Sequence, residues 1–511
     1  MRQSYLIIYN ALTNYGRAII QGIISFLLIP FIVNRINSEQ YGVVILATTA
    51  YGMITLFGTG LNKAVIKYHA QARAKKRVHT INLVFNNSLL LFMLIGVLGS
   101  ITIFVLGFFF QDVFSNVPAY LVPEGRLALF IIGSTIVPCL MLDVYKGILS
   151  GEQRYDVVNF ISLSSVIFRA IAIVAYFYIF TPSLIVVVVI YSISYIIERL
   201  GYLAASRIVV KEIRFSPRFF SKLGIKIIVG FSLMVLIATM ANMLAAHFFK
   251  FVIGARLSLS DLTYYGVLLL LTTTAALLVR SFVNVLVPVA SKYYELKDFH
   301  RINKILLHGT KYSIIIVLSL MFVTIPFLKS LLKVWMGTEF VHIWLIGVVM
   351  FVAQIISSTA ITANQVLSGL GKVKILAISS SLSVGIGLGL SLLYLLLAPA
   401  PILLIAVALI SIQRLVNSLI INSYSIRISG IRLHIFLKEA YTAPLLIGSI
   451  VTGIGFFLNR FLLVNTWGLL IGTVLFVEII YFSLIYFYAL TSEEKYLIHS
   501  FTNRSIQKIF G

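Results

Sequence analysis

Charge is scarce in this chain, and acid scarcest of all. Charged residues make up 11% of the 511 positions, with 16 Asp and Glu in total. A soluble domain is about a quarter charged, so this shortage excludes a water-facing globule of this size. Cysteine is nearly missing. Cys139 alone excludes a disulfide scaffold and a cysteine metal site, and its place inside an apolar run marks it as a packing residue. No GxxxxGK[ST] loop occurs, because Gly371-Lys372 belongs to a different turn, so ATP hydrolysis is excluded. No HExxH or comparable ligand cluster occurs, and no polar gap is long enough for a catalytic domain. No metal, no cofactor and no catalysis are therefore expected.

What fills the chain is apolar sequence, at 60% of its residues. A helix needs about 20 mostly apolar residues to cross a bilayer. Fourteen segments qualify, near 5–33, 41–62, 82–110, 127–148, 157–180, 183–205, 223–249, 262–287, 312–332, 343–368, 375–397, 402–424, 440–459 and 467–490. The predicted fold class is an all-α polytopic membrane protein of fourteen transmembrane helices. No cleavable leader is expected, since the first segment carries polar residues and lacks a small-residue cleavage site.

Charge tests the parity of the gaps. With a cytoplasmic N-terminus, 28 of the 40 Lys and Arg fall in inside segments, 7 outside and 5 within spans. That bias obeys the positive-inside rule, and one helix more or fewer would reverse every later gap. Both termini are predicted to be cytoplasmic. The net charge of +24 is then topogenic and rests against anionic headgroups, with no nucleic-acid partner required.

Two passages recur. Leu149-Ser150-Gly151-Glu152-Gln153-Arg154 follows the fourth span and Leu367-Ser368-Gly369-Leu370-Gly371-Lys372 the tenth. Arg35, Ser38 and Tyr41-Gly42-Val43 open the second span, and Arg256, Ser260 and Tyr265-Gly266-Val267 the eighth. Each pair is six helices apart. Six is even, so the copies keep one orientation and relate by a pseudo-two-fold axis along the membrane normal. The expected organisation is an N-lobe over 1–210, a C-lobe over 211–430, and 431–511 holding the last two helices and a tail. The gap near 206–226 is the natural linker.

Polar stripes run inside the spans. Asn10, Asn14, Arg17, Gln21 and Ser25 share one face of the first helix. Arg280 and Asn284 pair at i,i+4 on the eighth. Ser162, Ser165 and Arg169 line the fifth, Gln354, Ser358 and Gln365 the tenth, and Ser411, Arg414 and Ser418 the twelfth. Such faces must meet protein or water. Arg17, Arg169, Arg199, Arg280 and Arg414 stand against Asp143, Glu198 and Glu478. Arginine stays charged when buried, and its fork matches phosphate, so an anionic solute held by Arg17 and Arg280, with Arg169 and Arg414 on its path, is expected. Asn14, Gln21, Asn284 and Gln354 supply polar lining. The bland alternative, snorkelling or pairing with an acid, stays open for Arg169 and Arg414 and is favoured for Arg199 beside Glu198. Asp143 is expected to pair locally with Lys146. Glu198 and Glu478 are the candidates for proton coupling.

The polar first helix with Pro30, Arg35 and Tyr41-Gly42, the LSGEQRYDVVN turn at 149–159 and the LSGLGKVK turn at 367–374 give the chain a family resemblance. It resembles the O-antigen type of polysaccharide, or oligosaccharidyl-lipid, flippases of the multidrug/oligosaccharidyl-lipid/polysaccharide exporter superfamily. The resemblance implies a V-shaped, MATE-like bundle of two six-helix lobes plus two helices, with a central cationic cavity. It implies that undecaprenyl-diphosphate-linked sugar units cross from the inner to the outer leaflet of a bacterial plasma membrane. The implied partners are the lipid-linked oligosaccharide, membrane lipids and a polysaccharide polymerase. In related lipid II flippases arginines on helices one and eight line the cavity, and Arg17 and Arg280 occupy matching helices. The main alternative is a multidrug cation exporter of the same fold, which wants an acid on helix one where this chain has Arg17.

Overall fold

The computed structural model describes residues 2–283, 286–462 and 464–496, and within these the side chains of 2–12, 237–242, 244, 275, 277, 278, 280–282 and 288 fall outside the description. Among the described residues every regular element is helical. The chain opens with α1 (Arg2–Ile36), α2 (Ser38–Ala74), α3 (Val78–Phe108), α4 (Val122–Gly151), α5 (Tyr155–Ile179) and α6 (Leu184–Val209). Then come α7 (Lys222–Arg256), α8 (Leu259–Val283), α9 (Leu286–Glu295), α10 (Phe299–Phe322), α11 (Thr324–Met336), α12 (Trp344–Thr359) and α13 (Ile361–Gly369). The last are α14 (Val373–Leu397), α15 (Leu403–Ser429), α16 (Leu433–Leu437), α17 (Ala443–Leu462) and α18 (Trp467–Leu484). Among the described residues, 12 stretches are long and apolar enough to cross a membrane. α7 and α8 stand at the seventh and eighth expected spans and are described only in part.

The repeat is visible in the backbone. α4 ends with Gln153 at φ 60°, its N–H on the Ser150 carbonyl, while Arg154 N–H reaches back to Leu149. α13 ends in the same way, with Gly371 at φ 72° bonded to Ser368 and Lys372 reaching Leu367. These are Schellman closures, which satisfy the last carbonyls of a helix. A second such pair was hidden in the sequence. Lys76 (φ 52°) ends α2 and Lys297 (φ 54°) follows α9, each with the same two backbone bonds. The crossings repeat too: a Cβ on Gly151 would lie 3.3 Å from the Ile66 carbonyl oxygen, and one on Gly369 2.7 Å from that of Val287.

The chain divides into two compact units. The first runs to Leu270 and takes in Leu388–Ala406; the second holds Leu271–Gly387 and continues from Val407. In the first unit α4 is the hub, packed on α2, α3 and α6. Its buried face carries Leu129, Ile132, Ile136, Leu140 and Val144. α1 lies along α5 in parallel register. Thr13 accepts from Asn159 Nδ2 at 3.1 Å, and Phe31 stacks on Phe177 at 5.9 Å, the same sequence separation at both points. Arg256 ties Leu388–Ala406 to this unit, its guanidinium donating to the Leu395 and Leu396 carbonyls at 3.0 and 3.1 Å.

The expected linker is not loose. Asn82, Asn86 and Asn87 on α3 each use their amide as a peptide group would. Asn82 donates to the Glu212 carbonyl and accepts from Arg214 N–H; Asn86 does the same with Arg214 and Ser216, and Asn87 with Phe219 and Ser221. Six backbone groups that a connecting segment would leave to water are satisfied by three side chains. Arg73 adds a 3.1 Å ion pair to Glu212.

The second unit centres on α10, which packs against α12, α13 and α17. Ala290, Leu306, Ala363, Leu367 and Phe436 form one of its buried clusters. Glu494, past the end of α18, is buried against α10. It accepts from Lys311 Nζ at 2.7 Å and Tyr312 Oη at 2.8 Å.

Candidate functional site

In the first unit two guanidinium groups sit on the parallel pair α1 and α5. The first-helix stripe follows from residue spacing, which returns Thr13, Arg17 and Gln21 to one face each turn. Arg17 Nη1 donates to Gln21 Oε1 at 3.2 Å, and its Nε is buried with no acceptor. Arg169 lies with Cζ 4.3 Å from the centroid of the Tyr191 ring and 5.9 Å from that of Tyr195, and its Nε is also buried without an acceptor. The Tyr195 ring in turn stacks on Tyr51, 4.3 Å between centroids and 8° between planes. No described carboxylate lies within ion-pair distance of Arg17 or Arg169. A buried cation without a counter-ion is costly in a bilayer. Aromatic faces offset part of that cost at Arg169. Asn14 is half-buried on the same stripe.

Arg199 shows the contrast. Its Nη1 bonds Glu198 Oε2 at 2.7 Å, and its Nε lies 3.5 Å from Asp143 Oδ1. Asn62 Nδ2 donates to Asp143 Oδ2 at 2.8 Å, and Tyr202 Oη to Glu198 Oε1 at 2.6 Å. The structural reading of Arg199 is the one seen. The local Asp143–Lys146 pair expected from i,i+3 spacing is replaced by these cross-helix partners. Glu198, a candidate for proton coupling, is bound on both oxygens.

In the second unit Arg414 Nη1 reaches the Met350 carbonyl at 3.5 Å. Gln354 is buried, its amide 3.4 Å from Ser358 Oγ, and Ser418 Oγ donates to the Ile356 carbonyl. Arg280 lies on α8 but its side chain is outside the described set, and Asn284 lies outside the described residues. Glu478 is on α18, away from these groups in sequence, with Oε2 buried and no hydrogen-bond partner. Sequence reasoning missed the Tyr51–Tyr195–Tyr191 ladder around Arg169. Nothing local in the sequence says that α2, α5 and α6 meet there.

Half-buried guanidinium groups without a described carboxylate, set beside amides, hydroxyls and tyrosine faces, can hold an anion and the polar rim of a sugar. Groups held in ion pairs, such as Glu198 and Asp143, are poorly placed to bind a second cation.

Comparisons with known proteins agree on the kind of protein. A family model described as "Polysaccharide biosynthesis protein" matches residues 8–294. A Shigella flexneri protein proposed to be an O-antigen transporter is 22% identical over 381 residues, covering 73% of this chain and 87% of that one. Among solved structures, the lipid II flippase MurJ in an inward closed conformation superposes with a TM-score of 0.68 at 13% identity, covering 94% of this chain and 99% of that one. An inward-facing MATE multidrug transporter of the MOP superfamily gives 0.64 at 14% identity, over 82% and 94%. These likenesses establish a MATE-like polytopic fold.

Proposed function

The chain belongs to the polysaccharide biosynthesis protein family, and from that premise we propose that it is a lipid-linked oligosaccharide flippase of a bacterial plasma membrane. Its substrate in this reading is an undecaprenyl-diphosphate-linked repeat unit, moved from the cytoplasmic to the outer leaflet for surface polysaccharide synthesis. Both termini face the cytoplasm, and movement is by alternating access through a cationic cavity. The chain acts as a transporter and performs no catalysis, and a polysaccharide polymerase is the natural consumer of its product.

The observation that carries this reading is that Arg17 on α1 and Arg169 on α5 are each half-buried, with Nε buried and unpartnered and no described carboxylate in ion-pair reach. A diphosphate supplies the missing counter-charge, and the guanidinium fork accepts it bidentately. Arg280 on α8 and Arg414 on α15 are further candidates to bind such an anion. Asn14, Gln21, Asn284 and Gln354 replace water around the sugar. The lipid tail stays in hydrocarbon, so only the head crosses the roughly 30 Å of apolar core. A cation exporter would need a free carboxylate deep within a span, and Asp143 and Glu198, the mid-span acids of the first unit, are engaged with Arg199.

The test is leaflet accessibility of labelled lipid-linked oligosaccharide in reconstituted vesicles. Wild-type protein is expected to equalise the label between leaflets, and folded Arg17→Ala protein to do so slowly. Equal rates for the two, or transport of organic cations instead, would overturn the reading.

A further inference from the structure

A cavity of about 340 Å³ lies within the second unit, among α10, α12, α15, α16 and α17. Its walls are apolar, with Ile355, Leu415, Leu419, Ile426, Phe436 and Leu445 prominent. It is open at the side, since Leu419 and Leu433 are 58% and 59% exposed. One polar spot interrupts the wall. Asn422 Nδ2 donates to Thr359 Oγ1 at 3.2 Å and Tyr441 Oη at 3.4 Å. Asn422 Oδ1 is buried with no donor. Tyr441 reaches this spot from a π-helical turn, Lys438–Thr442, inserted before α17. Such turns cost hydrogen-bond geometry and concentrate at functional positions.

Cations flank the lining residues in sequence. Arg427, Arg432 and Lys438 each adjoin a lining residue in sequence, namely Ile426, Leu433 and Leu437, and Glu439 is the one acid beside them. These cations fall in a gap assigned to the cytoplasmic side by charge parity. A single hydrocarbon chain suits the apolar walls and the exposed Leu419 and Leu433 at the opening.

We propose that this cavity is a binding site for an anionic phospholipid of the cytoplasmic leaflet. One acyl chain enters between Leu419 and Phe436. The phosphate meets Arg427, Arg432 and Lys438, and a headgroup hydroxyl donates to Asn422 Oδ1. Phosphatidylglycerol has this chemistry, with one negative charge and two head hydroxyls. The site is separate from Arg17 and Arg169 and stands whether or not the transport reading holds.

Native mass spectrometry of the detergent-purified full chain tests it, with dioleoyl phosphatidylglycerol and dioleoyl phosphatidylcholine as probes. A surplus of two flanking cations near the surface predicts about thirtyfold stronger retention of phosphatidylglycerol. Ser423→Phe, which fills the cavity, and Arg432→Gln with Lys438→Gln, which strips the flanking charge, should each abolish the preference. A preference that is absent in wild type, or that survives both variants, overturns the site. Leu419→Trp gives a readout that tolerates a poorly folding plug: brominated phosphatidylglycerol should quench its added fluorescence more than brominated phosphatidylcholine. Displacement of the bound phospholipid by equimolar polyprenyl phosphate would overturn the phospholipid assignment and give the cavity to the substrate's own tail.

Discussion

The hydroxyl oxygens of Ser38 and Ser260 stand 3.2 Å apart, although 222 residues separate them. They are equivalent residues of the internal repeat, so each copy of the turn meets the other. Thr263 Oγ1 donates to the Ser38 carbonyl at 2.7 Å. The helix starts press so closely that a Cβ on Gly42 would lie 2.3 Å from the Leu259 carbonyl oxygen, and one on Gly266 2.7 Å from Ile45 Cδ1. Only glycine allows that approach. The proposed cytoplasmic termini would put both turns on the outer side, where alternating access would have to part them. An oxidised Ser38→Cys/Ser260→Cys pair, in a Cys139→Ala background, should therefore crosslink readily and stop lipid translocation, with recovery on reduction. Disulfide geometry is compatible with hydroxyls this close. Translocation by the fully crosslinked protein would show that these turns need not part.

Arg17 and Arg169 should differ in how they tolerate lysine. A charge-assisted hydrogen bond contributes about 1.5–3 kcal/mol, so alanine at either position should slow translocation about tenfold to a hundredfold. Lysine keeps the charge and loses the fork. At Arg169 it also loses the flat stacking on Tyr191, so Arg169→Lys should resemble alanine while Arg17→Lys recovers part of the rate. Vesicle assays with melting temperatures measured alongside decide this. Equal recovery at both sites would mean that the Tyr191 face does not position the cation.

Much of this was readable beforehand where the signal is local. The LSG turns showed themselves because Gly151 and Gly369 must admit a crossing backbone, and the stripe on α1 showed itself by helical spacing. The equivalent closures at Lys76 and Lys297 were silent, since lysine occupies a left-handed position that glycine usually marks. Asp143 was assigned to Lys146 because i,i+3 neighbours are all a sequence offers. Its real partners, Asn62 and Arg199, come from α2 and α6, and only packing brings them to α4. The asparagines of α3 read as scattered polar residues until the 212–221 segment is laid against them.

Removing Arg199 should damage the fold before it damages transport. Glu198 and Asp143 would be left as two buried carboxylates without their shared cation, a change that costs about 3–5 kcal/mol in comparable sites. Arg199→Met is expected to lower the melting temperature sharply in detergent. Adding Glu198→Gln and Asp143→Asn should restore much of the loss, because neutral amides no longer need the charge. If Arg199→Met melts like wild type, the cluster is not a structural tie between α4 and α6.

Glu494 gives the chain an acid-sensitive joint at the end of α18. Burial pushes its carboxyl up, but the Lys311 ammonium, the Thr491 N–H and the Tyr312 hydroxyl outweigh it and bring the group from an ordinary 4.5 down to about 2. Because the folded value is the lower one, the folded state holds its proton less tightly than the unfolded chain does. The stabilisation is therefore complete above about pH 4.5 and fades as the pH falls towards 2. Glu494→Gln should remove it at every pH, leaving Lys311, 8% exposed, without its carboxylate. Melting curves of wild type and Glu494→Gln should be widely separated at pH 7 and converge as the solution is acidified. A constant gap across that range would mean that Glu494 keeps its proton in the folded protein and that the Lys311 contact is not an ion pair.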